Sequence, residues 1–150
     1  KGILRQLPPY CENPATCTAD IKKRNLLEIT LNRNNDILIG DKQIKLKDIS
    51  HIVMAFVDNN GLADCTYCNG EQLPNYSEHP TKAIISLRYD TDSHYTKYIE
   101  VQDKISEAYT QLRENYAQNN FNTSLEHLDV TKLKFIRGKY PIKISEVTLK

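Results

Sequence analysis

The hydrophobic positions between residues 82 and 147 change their period twice along the chain. Residues 83–87 form a short apolar run rich in β-branched side chains, which is typical of a strand buried on both faces. Over residues 95–116 apolar side chains recur every three or four positions between charged ones, which predicts an amphipathic helix of about six turns. Residues 142–147 are again short and β-branched. This order predicts a right-handed βαβ crossover with two parallel strands.

The preceding part of the chain shows a different hydrophobic pattern. Leu27, Ile29 and Leu31 alternate with polar residues, which predicts a strand with one buried face. Asparagine and aspartate residues separate this strand from Ile37–Ile39, so we expect the two segments to form a hairpin. The apolar spacing over residues 46–58 then predicts a helix.

Two segments, residues 1–24 and 59–80, lack this periodicity. Residues 1–24 contain prolines and two cysteines, and we expect an extended leader there. Residues 59–80 form a polar stretch longer than most loops of a compact domain, which indicates an insertion or a binding loop. After Asn119 and Asn120, which we expect to end the long helix, residues 125–135 predict a short helix capped by Ser124.

These elements together predict a two-layer α+β sandwich. The order is ββα followed by a βαβ crossover, with two main helices on one face of a mixed β-sheet. A length of 150 residues suits one domain with one hydrophobic core, which we assign to residues 25–150. Because the chain lacks an initiator methionine, we expect that a segment upstream of Lys1 has been removed.

Charge and hydropathy narrow the range of partners. With 20 basic and 19 acidic residues the net charge is +1, which gives no general case for binding nucleic acid or an anionic membrane. The sequence contains no run of about eighteen apolar residues that would predict a membrane span.

The four cysteines fall into two close pairs, Cys11 with Cys17 and Cys65 with Cys68. Three disulfide pairings remain open on sequence alone. We favour structural disulfides over a zinc site, because the spacing of the first pair is looser than structural zinc sites use. Free thiols are a further alternative. A reactive Cys65–Cys68 pair would require a helix N-terminus, which its glycine- and asparagine-rich surroundings do not predict.

No catalytic motif is evident in the sequence. Glycine-rich phosphate loops, zinc-protease motifs, serine-hydrolase elbows and EF-hand spacings do not occur. Asp90 and Asp92 lie at a strand-to-helix turn, where we favour helix capping over a cation site or an acid/base pair. The four histidines show no metal-ligand spacing, and His79 would join Cys65 and Cys68 in a zinc site only if the loop folded back. We predict a protein that is not an enzyme and binds no cofactor or metal.

Several short motifs occur in the order and spacing of a known family. They are residues 7–9, the hairpin at 25–39, and residues 82–87, 95–102, 108–113 and 140–146. On these motifs most of the chain resembles the periplasmic domain of the ExbD/TolR biopolymer-transport family, and within it the longer ExbD-like proteins of Bacteroidetes. The cysteine-bearing loop at 59–80 and the leader with Cys11 and Cys17 are not part of the short family pattern.

The resemblance implies a protein of the inner membrane with a single transmembrane helix that ends just before residue 7. It places this domain in the periplasm, as part of a homodimer within an ExbB-like membrane ring. It also implies a function: coupling the proton-motive force to a TonB-like protein, and so energising TonB-dependent transport through the outer membrane. The family's proton-responsive aspartate belongs to the membrane helix, so no residue of this sequence is assigned that role.

We expect such a domain to act through its surfaces. A short, polar strand edge can accept an extended partner segment by β-augmentation. The candidate edges are the strand of Leu27, Ile29 and Leu31 and the strand of Ile142 and Ile144. An alternative function is that of a TolR- or MotB-like anchor that binds peptidoglycan. A weaker alternative is a small redox or zinc protein built on the four cysteines.

Overall fold

The structure is a computed structural model, and it describes residues 21–149. The strands are β1 (Leu26–Leu31), β2 (Ile37–Ile39), β3 (Lys42–Ile44), β4 (Ile84–Asp90) and β5 (Ile144–Leu149). The α-helices are α1 (Ile49–Val57), α2 (Tyr95–Phe121) and α3 (Val130–Lys139). Single turns of 3₁₀-helix occupy Lys23–Asn25, Leu46–Asp48 and Leu125–His127. The leader, including Cys11 and Cys17, lies outside the described residues.

The five strands form one mixed sheet in the order β3-β2-β1-β4-β5. The hairpin strands β2 and β3 are antiparallel, whereas β1, β4 and β5 run parallel to one another. β4 and β5 are neighbours joined through α2 and α3, as expected for a βαβ crossover. The predicted α+β class with a mixed sheet is therefore confirmed.

The hydrophobic core lies between the sheet and the helices α1 and α2. Alternate residues of β1, from Leu27 to Leu31, point into it, as the period of two predicts. From α2 the core receives residues three or four positions apart, among them Ile105, Tyr109 and Leu112, all nearly inaccessible to solvent. Residues 84–87 of β4 are buried in succession, as expected for a central strand.

Two helix boundaries differ from the prediction. α2 continues through Asn119 and Asn120 to Phe121 and ends where Asn122 adopts a left-handed conformation, with φ 56°. An asparagine within a helix is less favourable than an alanine by only about 0.7 kcal/mol or less. In the extra turn the ring of Phe121 packs against the ring of Tyr116, with 6.2 Å between their centroids. The helix predicted over 46–58 begins instead as a 3₁₀ turn, and its α-helical part is Ile49–Val57.

The segment predicted as one helix at residues 125–135 is divided. A 3₁₀ turn at Leu125–His127 precedes α3, which begins only at Val130. Asp129, not Ser124, caps α3, because its carboxylate accepts the Lys132 amide at 2.8 Å. The Ser124 hydroxyl instead donates to Glu114 at 3.3 Å. The prediction that Ser124 caps this helix is therefore wrong.

The turn before α2 is also built differently from the prediction. The N-cap of α2 is His94, which makes no side-chain capping bond. The Asp90 carboxylate accepts the Asp92 amide at 2.8 Å, and Asp92 forms an ion pair with Arg33 at 2.6 Å. Asp90 and Asp92 therefore stabilise the turn and its contact with the β1–β2 hairpin rather than the helix N-terminus.

Within residues 21–149, no helix combines the length and the apolar character that crossing a bilayer requires.

Candidate partner-binding edge and cysteine loop

Among the described residues the sheet ends at β3 and β5, so the edges differ in part from the prediction. β1, which carries Leu27, Ile29 and Leu31, lies between β2 and β4 and is paired on both sides. The prediction that this strand is an edge is therefore wrong. The reason is topological, because the hairpin strand β2 covers one side of β1 and the returning strand β4 covers the other.

β5 is the longer of the two edges. It contains six residues against three in β3, and it begins at Ile144, while Ile142 precedes it. Ile144 is fully buried and pairs with Ile85, so its side chain belongs to the core. What β5 offers at its outer side is therefore backbone rather than the predicted isoleucine side chains.

The backbone of β5 has one side facing β4 and one facing outward. The Ile85 amide donates to the Lys143 carbonyl at 2.9 Å, which fixes the register of the two strands. Because successive residues of a strand direct their amides to opposite sides, Ser145 and Val147 face β4. Ile144 and Thr148 then direct their amides away from β4, where no strand of the described residues lies. Ile144 is buried and Thr148 is exposed, so Thr148 carries the accessible outward amide.

Polar side chains tie β5 to α2 on the helix side of the sheet. The Glu146 carboxylate accepts hydrogen bonds from the Tyr98 hydroxyl and the Gln102 amide. The Thr148 hydroxyl donates to the Tyr89 hydroxyl at 3.2 Å, and the ring of Tyr89 packs on Tyr98 with 4.6 Å between centroids. These contacts hold β5 against the helix layer. Tyr98 and Gln102, four residues apart on α2, share a face by helix geometry, which is the sequence signal for this cluster.

The segment between α1 and β4, residues 58–83, is called the cysteine loop below. Cys65 and Cys68 form a disulfide within it. Each cysteine is thereby removed as a zinc ligand, and the pair lies in a turn rather than at a helix N-terminus. No cluster of three or more histidine, cysteine or acidic residues suited to a metal ion occurs within residues 21–149. The pairing of Cys11 and Cys17 remains a prediction, since both lie outside the described part of the chain.

The loop that contains this disulfide is anchored by Asn59. Its side chain, 1% exposed, donates to the carbonyls of Leu73 at 3.0 Å and Ser77 at 2.9 Å. It also accepts the Leu73 amide at 2.7 Å. The Ser77 hydroxyl in turn donates to the Phe56 carbonyl at the end of α1, at 2.7 Å. Bonds from side chain to main chain therefore give the loop the order that its lack of periodicity concealed.

Asp58 links the loop to the segment that enters β5. One carboxylate oxygen accepts the Tyr140 hydroxyl at 2.7 Å, and the other accepts the Asn69 amide at 3.0 Å. Burial raises the pKa of Asp58 although both hydrogen bonds favour its charged form. The neighbouring Tyr67 hydroxyl donates to the Lys139 carbonyl at 2.9 Å, and burial raises the pKa of Tyr67 to about 12. The loop, the end of α3 and the start of β5 are thus one connected assembly.

Gly70 allows the loop to approach the end of α1 closely. A Cβ atom at this position would lie 2.2 Å from the Asp58 carbonyl oxygen and 2.4 Å from the Asn59 Cα. Both contacts are with backbone, so neither neighbour can rotate away. Only glycine therefore fits at this point without displacing the loop.

Glu78 joins the end of the loop to the entrance of β1. It accepts from Lys22 at 2.9 Å and from the Asn25 side-chain amide at 3.2 Å, while its own amide donates to Asn25 at 2.8 Å. The hydrogen bond from Lys22, followed by that from Asn25, lowers the pKa of Glu78. The charged form of Glu78 is therefore the one that stabilises the fold.

We expect Glu78→Gln to reduce the loss of stability on acidification. A lowered pKa contributes stability that is complete above the ordinary glutamate value of about 4.3 and is lost as the pH falls through the folded-state pKa. Urea unfolding of both proteins between about pH 6 and about pH 3 tests this over that window. Asp58 has the opposite dependence and is common to both proteins. Parallel stability curves for the two would contradict the assignment.

Removal of the Cys65–Cys68 disulfide should lower the free energy of unfolding modestly. The chain-entropy relation for so short a loop gives about 2 kcal/mol. Urea unfolding of the Cys65→Ala/Cys68→Ala double variant measures the change, with Cys11→Ala/Cys17→Ala as the matched control. Alkylation of the unreduced chain should leave Cys65 and Cys68 unmodified, and their modification would show that the bond is absent.

Comparison with models of known protein families and with curated proteins yields no match to this chain.

Proposed function

We propose that this chain is the periplasmic domain of an ExbD/TolR-like subunit that transmits the proton-motive force to a TonB-like protein. In this proposal the full-length protein is anchored in the inner membrane by one helix, dimerises, and works within an ExbB-like ring. The domain contributes no catalytic chemistry. It acts by binding an extended segment of the TonB-like partner at β5.

The observation that carries the proposal is the outer side of β5. A six-residue strand whose exposed end carries the outward amide of Thr148 provides a hydrogen-bonding group that an added strand would satisfy. β3 is less suitable, because it has three residues and begins with a lysine, features that oppose strand addition. A partner segment at β5 would extend the sheet and transmit force along a continuous hydrogen-bonded layer.

The arrangement of the motifs gives further support. Residues 95–102 and 140–146, which carry part of the family resemblance, meet where Tyr98 and Gln102 bind Glu146. The motif residue Arg113 donates to the Tyr140 carbonyl through two nitrogen atoms, at 3.1 and 2.8 Å. Motifs that are distant in the sequence thus form one unit around the start of β5. The Cys65–Cys68 disulfide is also consistent with an oxidising compartment such as the periplasm.

Deletion of this domain from the full-length protein tests the proposed function. We expect the deletion to abolish TonB-dependent uptake while the ExbB-like ring still assembles, since the membrane helix is retained. Ring assembly, measured by native purification, is the control for expression. Normal uptake by the deletion strain would contradict the proposal.

Binding to peptidoglycan distinguishes the alternative anchor function. Under the coupling proposal, the 150-residue chain remains in the supernatant when it is sedimented with purified sacculi. Strong co-sedimentation, together with uptake that does not depend on the domain, would favour a TolR- or MotB-like anchor instead.

A further inference from the structure

Two clefts lie beside the cysteine loop where it faces the second half of α2. One of about 470 Å³ is bounded by the end of α1, residues 69–76 and α2, and the other of about 270 Å³ by residues 66–69, α2 and the end of α3. Asn69 lines both clefts, so they are neighbours. We call the combined surface of Asn69, Tyr76, Asn115, Tyr116, Asn119 and Asn120 the amide groove.

The α2 side of the amide groove follows from helix geometry. Asn115 and Asn119 are four residues apart, as are Tyr116 and Asn120, so these four side chains lie on one face. Leu112 extends the same face at the end nearer α1. The stretch from Leu112 to Asn120 covers about 12 Å along the helix axis at 1.5 Å per residue. The groove is therefore elongated rather than round.

The opposite wall is held in place before any ligand binds. The close approach of Gly70 to the Asp58 carbonyl fixes the loop against α1, and the disulfide restrains the turn of Cys65 and Cys68. The Asn60 side chain accepts the Cys65 amide at 3.0 Å. A site built this way loses little conformational entropy on binding.

Two asparagines of the amide groove are already hydrogen-bonded, since Asn115 accepts from Gln111 at 2.9 Å and Asn120 donates to the Tyr116 carbonyl at 3.1 Å. The side chains of Asn69 and Asn119 make no hydrogen bond within the described residues, and each primary amide offers two donors and one acceptor. Glu71 and Lys139 are charged residues at opposite parts of the lining, so the groove has no excess of positive charge for a phosphate or carboxylate. Asp58, the remaining acidic residue, is buried and already bonded at both oxygens.

The combination of amides and tyrosine rings indicates the ligand class. Sugar hydroxyls both donate and accept, which matches a primary amide, and the C–H faces of a sugar ring pack on aromatic rings. Tyr76 contacts Phe56, and Tyr116 contacts Tyr67, Phe121 and Phe135, so these two half-buried rings line the groove with the surface that those contacts leave exposed. We infer that the amide groove binds a neutral oligosaccharide. The inference does not rest on the proposed coupling function, and no residue of the groove belongs to β5.

Titration of the ¹⁵N-labelled 150-residue chain with maltohexaose, cellohexaose and chitohexaose tests this inference. We expect at least one sugar to bind at millimolar concentration and to shift the side-chain amide signals of Asn69 and Asn119. The Asn69→Ala/Asn119→Ala double variant should bind that sugar about tenfold more weakly, since two sets of hydrogen bonds are lost. Asn34→Ala removes an exposed asparagine in the β1–β2 turn, outside the groove, and should leave the affinity unchanged.

Three results would overturn the inference. The first is that none of the three sugars binds, and the second is that the double variant binds as well as the natural chain. The third is that an uncharged glycine- and serine-rich hexapeptide shifts the groove amides while the sugars do not. None of these experiments measures uptake. A failure of the sugar-binding inference is therefore distinguishable from a failure of the proposed coupling function.

Discussion

Asn59→Ala is expected to lower the free energy of unfolding by about 3 kcal/mol, since three hydrogen bonds of a buried side chain are lost at about 1 kcal/mol each. The Leu73 amide loses the acceptor that Asn59 provides at 2.7 Å, and the Leu73 and Ser77 carbonyls each lose a donor. Urea unfolding measures the change. Hydrogen exchange should show that the Leu73 amide exchanges through a local opening, whose free energy is well below that of global unfolding.

The control for this prediction is Asn34→Ala, which removes an asparagine that is exposed in the β1–β2 turn. We expect it to change stability by no more than about 0.5 kcal/mol. If Asn59→Ala had an equally small effect, Asn59 would not be the anchor of the cysteine loop.

Thr148→Pro is expected to weaken binding of the TonB-like protein at least tenfold while leaving the domain folded. Proline removes the outward amide of Thr148, and its ring obstructs an added strand, but the ladder between β4 and β5 uses the amides of Ser145 and Val147. Titration calorimetry with the periplasmic part of the partner measures the affinity. Circular dichroism and urea unfolding report whether the fold is retained.

Two matched variants separate the backbone from the side chain. Thr148→Val keeps the outward amide and removes only the hydroxyl that donates to Tyr89, so it should bind the partner as the natural chain does. Val147→Pro removes an amide that faces β4 and should destabilise the sheet itself. Equal binding by Thr148→Pro and Thr148→Val would rule out β5 as the docking strand.

The elements with strong periodicity could be predicted from the sequence, because their spacing records which face is buried. The apolar run of β4, the alternation in β1 and the stripe of α2 each reflect contact with one core. The order of the strands in the sheet could not be predicted in the same way. Whether β1 is central or at an edge depends on where β4 returns, and the local pattern of Leu27, Ile29 and Leu31 does not contain that information.

The cysteine loop shows a second limit of reading the sequence. Its order comes from single side chains that bond to distant backbone groups, as Asn59 does with Leu73 and Ser77. Asn59 and Asn60 correctly predicted the end of α1, but residues that end a helix are also good partners for main-chain groups. Gly61 and Gly70 offered a further signal, since an isolated glycine in a polar loop often marks a close backbone approach.

Capping at residues 124–130 could have been assigned correctly with the same rules. Asp129 directly precedes the helical residues of α3, and aspartate is at least as good an N-cap as serine. Ser124 is the expected cap only if Leu125 is the first apolar position of the helix. In the structure the 3₁₀ turn at Leu125–His127 separates Ser124 from α3.

Hydrogen–deuterium exchange of the β5 amides, with and without the TonB-like protein, tests the central claim most directly. In the free chain we predict fast exchange at Thr148, which is exposed and faces away from β4, and slow exchange at Ser145 and Val147, which face β4. With the partner at saturation, the Thr148 amide should become protected as well. Unchanged, fast exchange at Thr148 in the saturated complex would contradict strand addition at this edge.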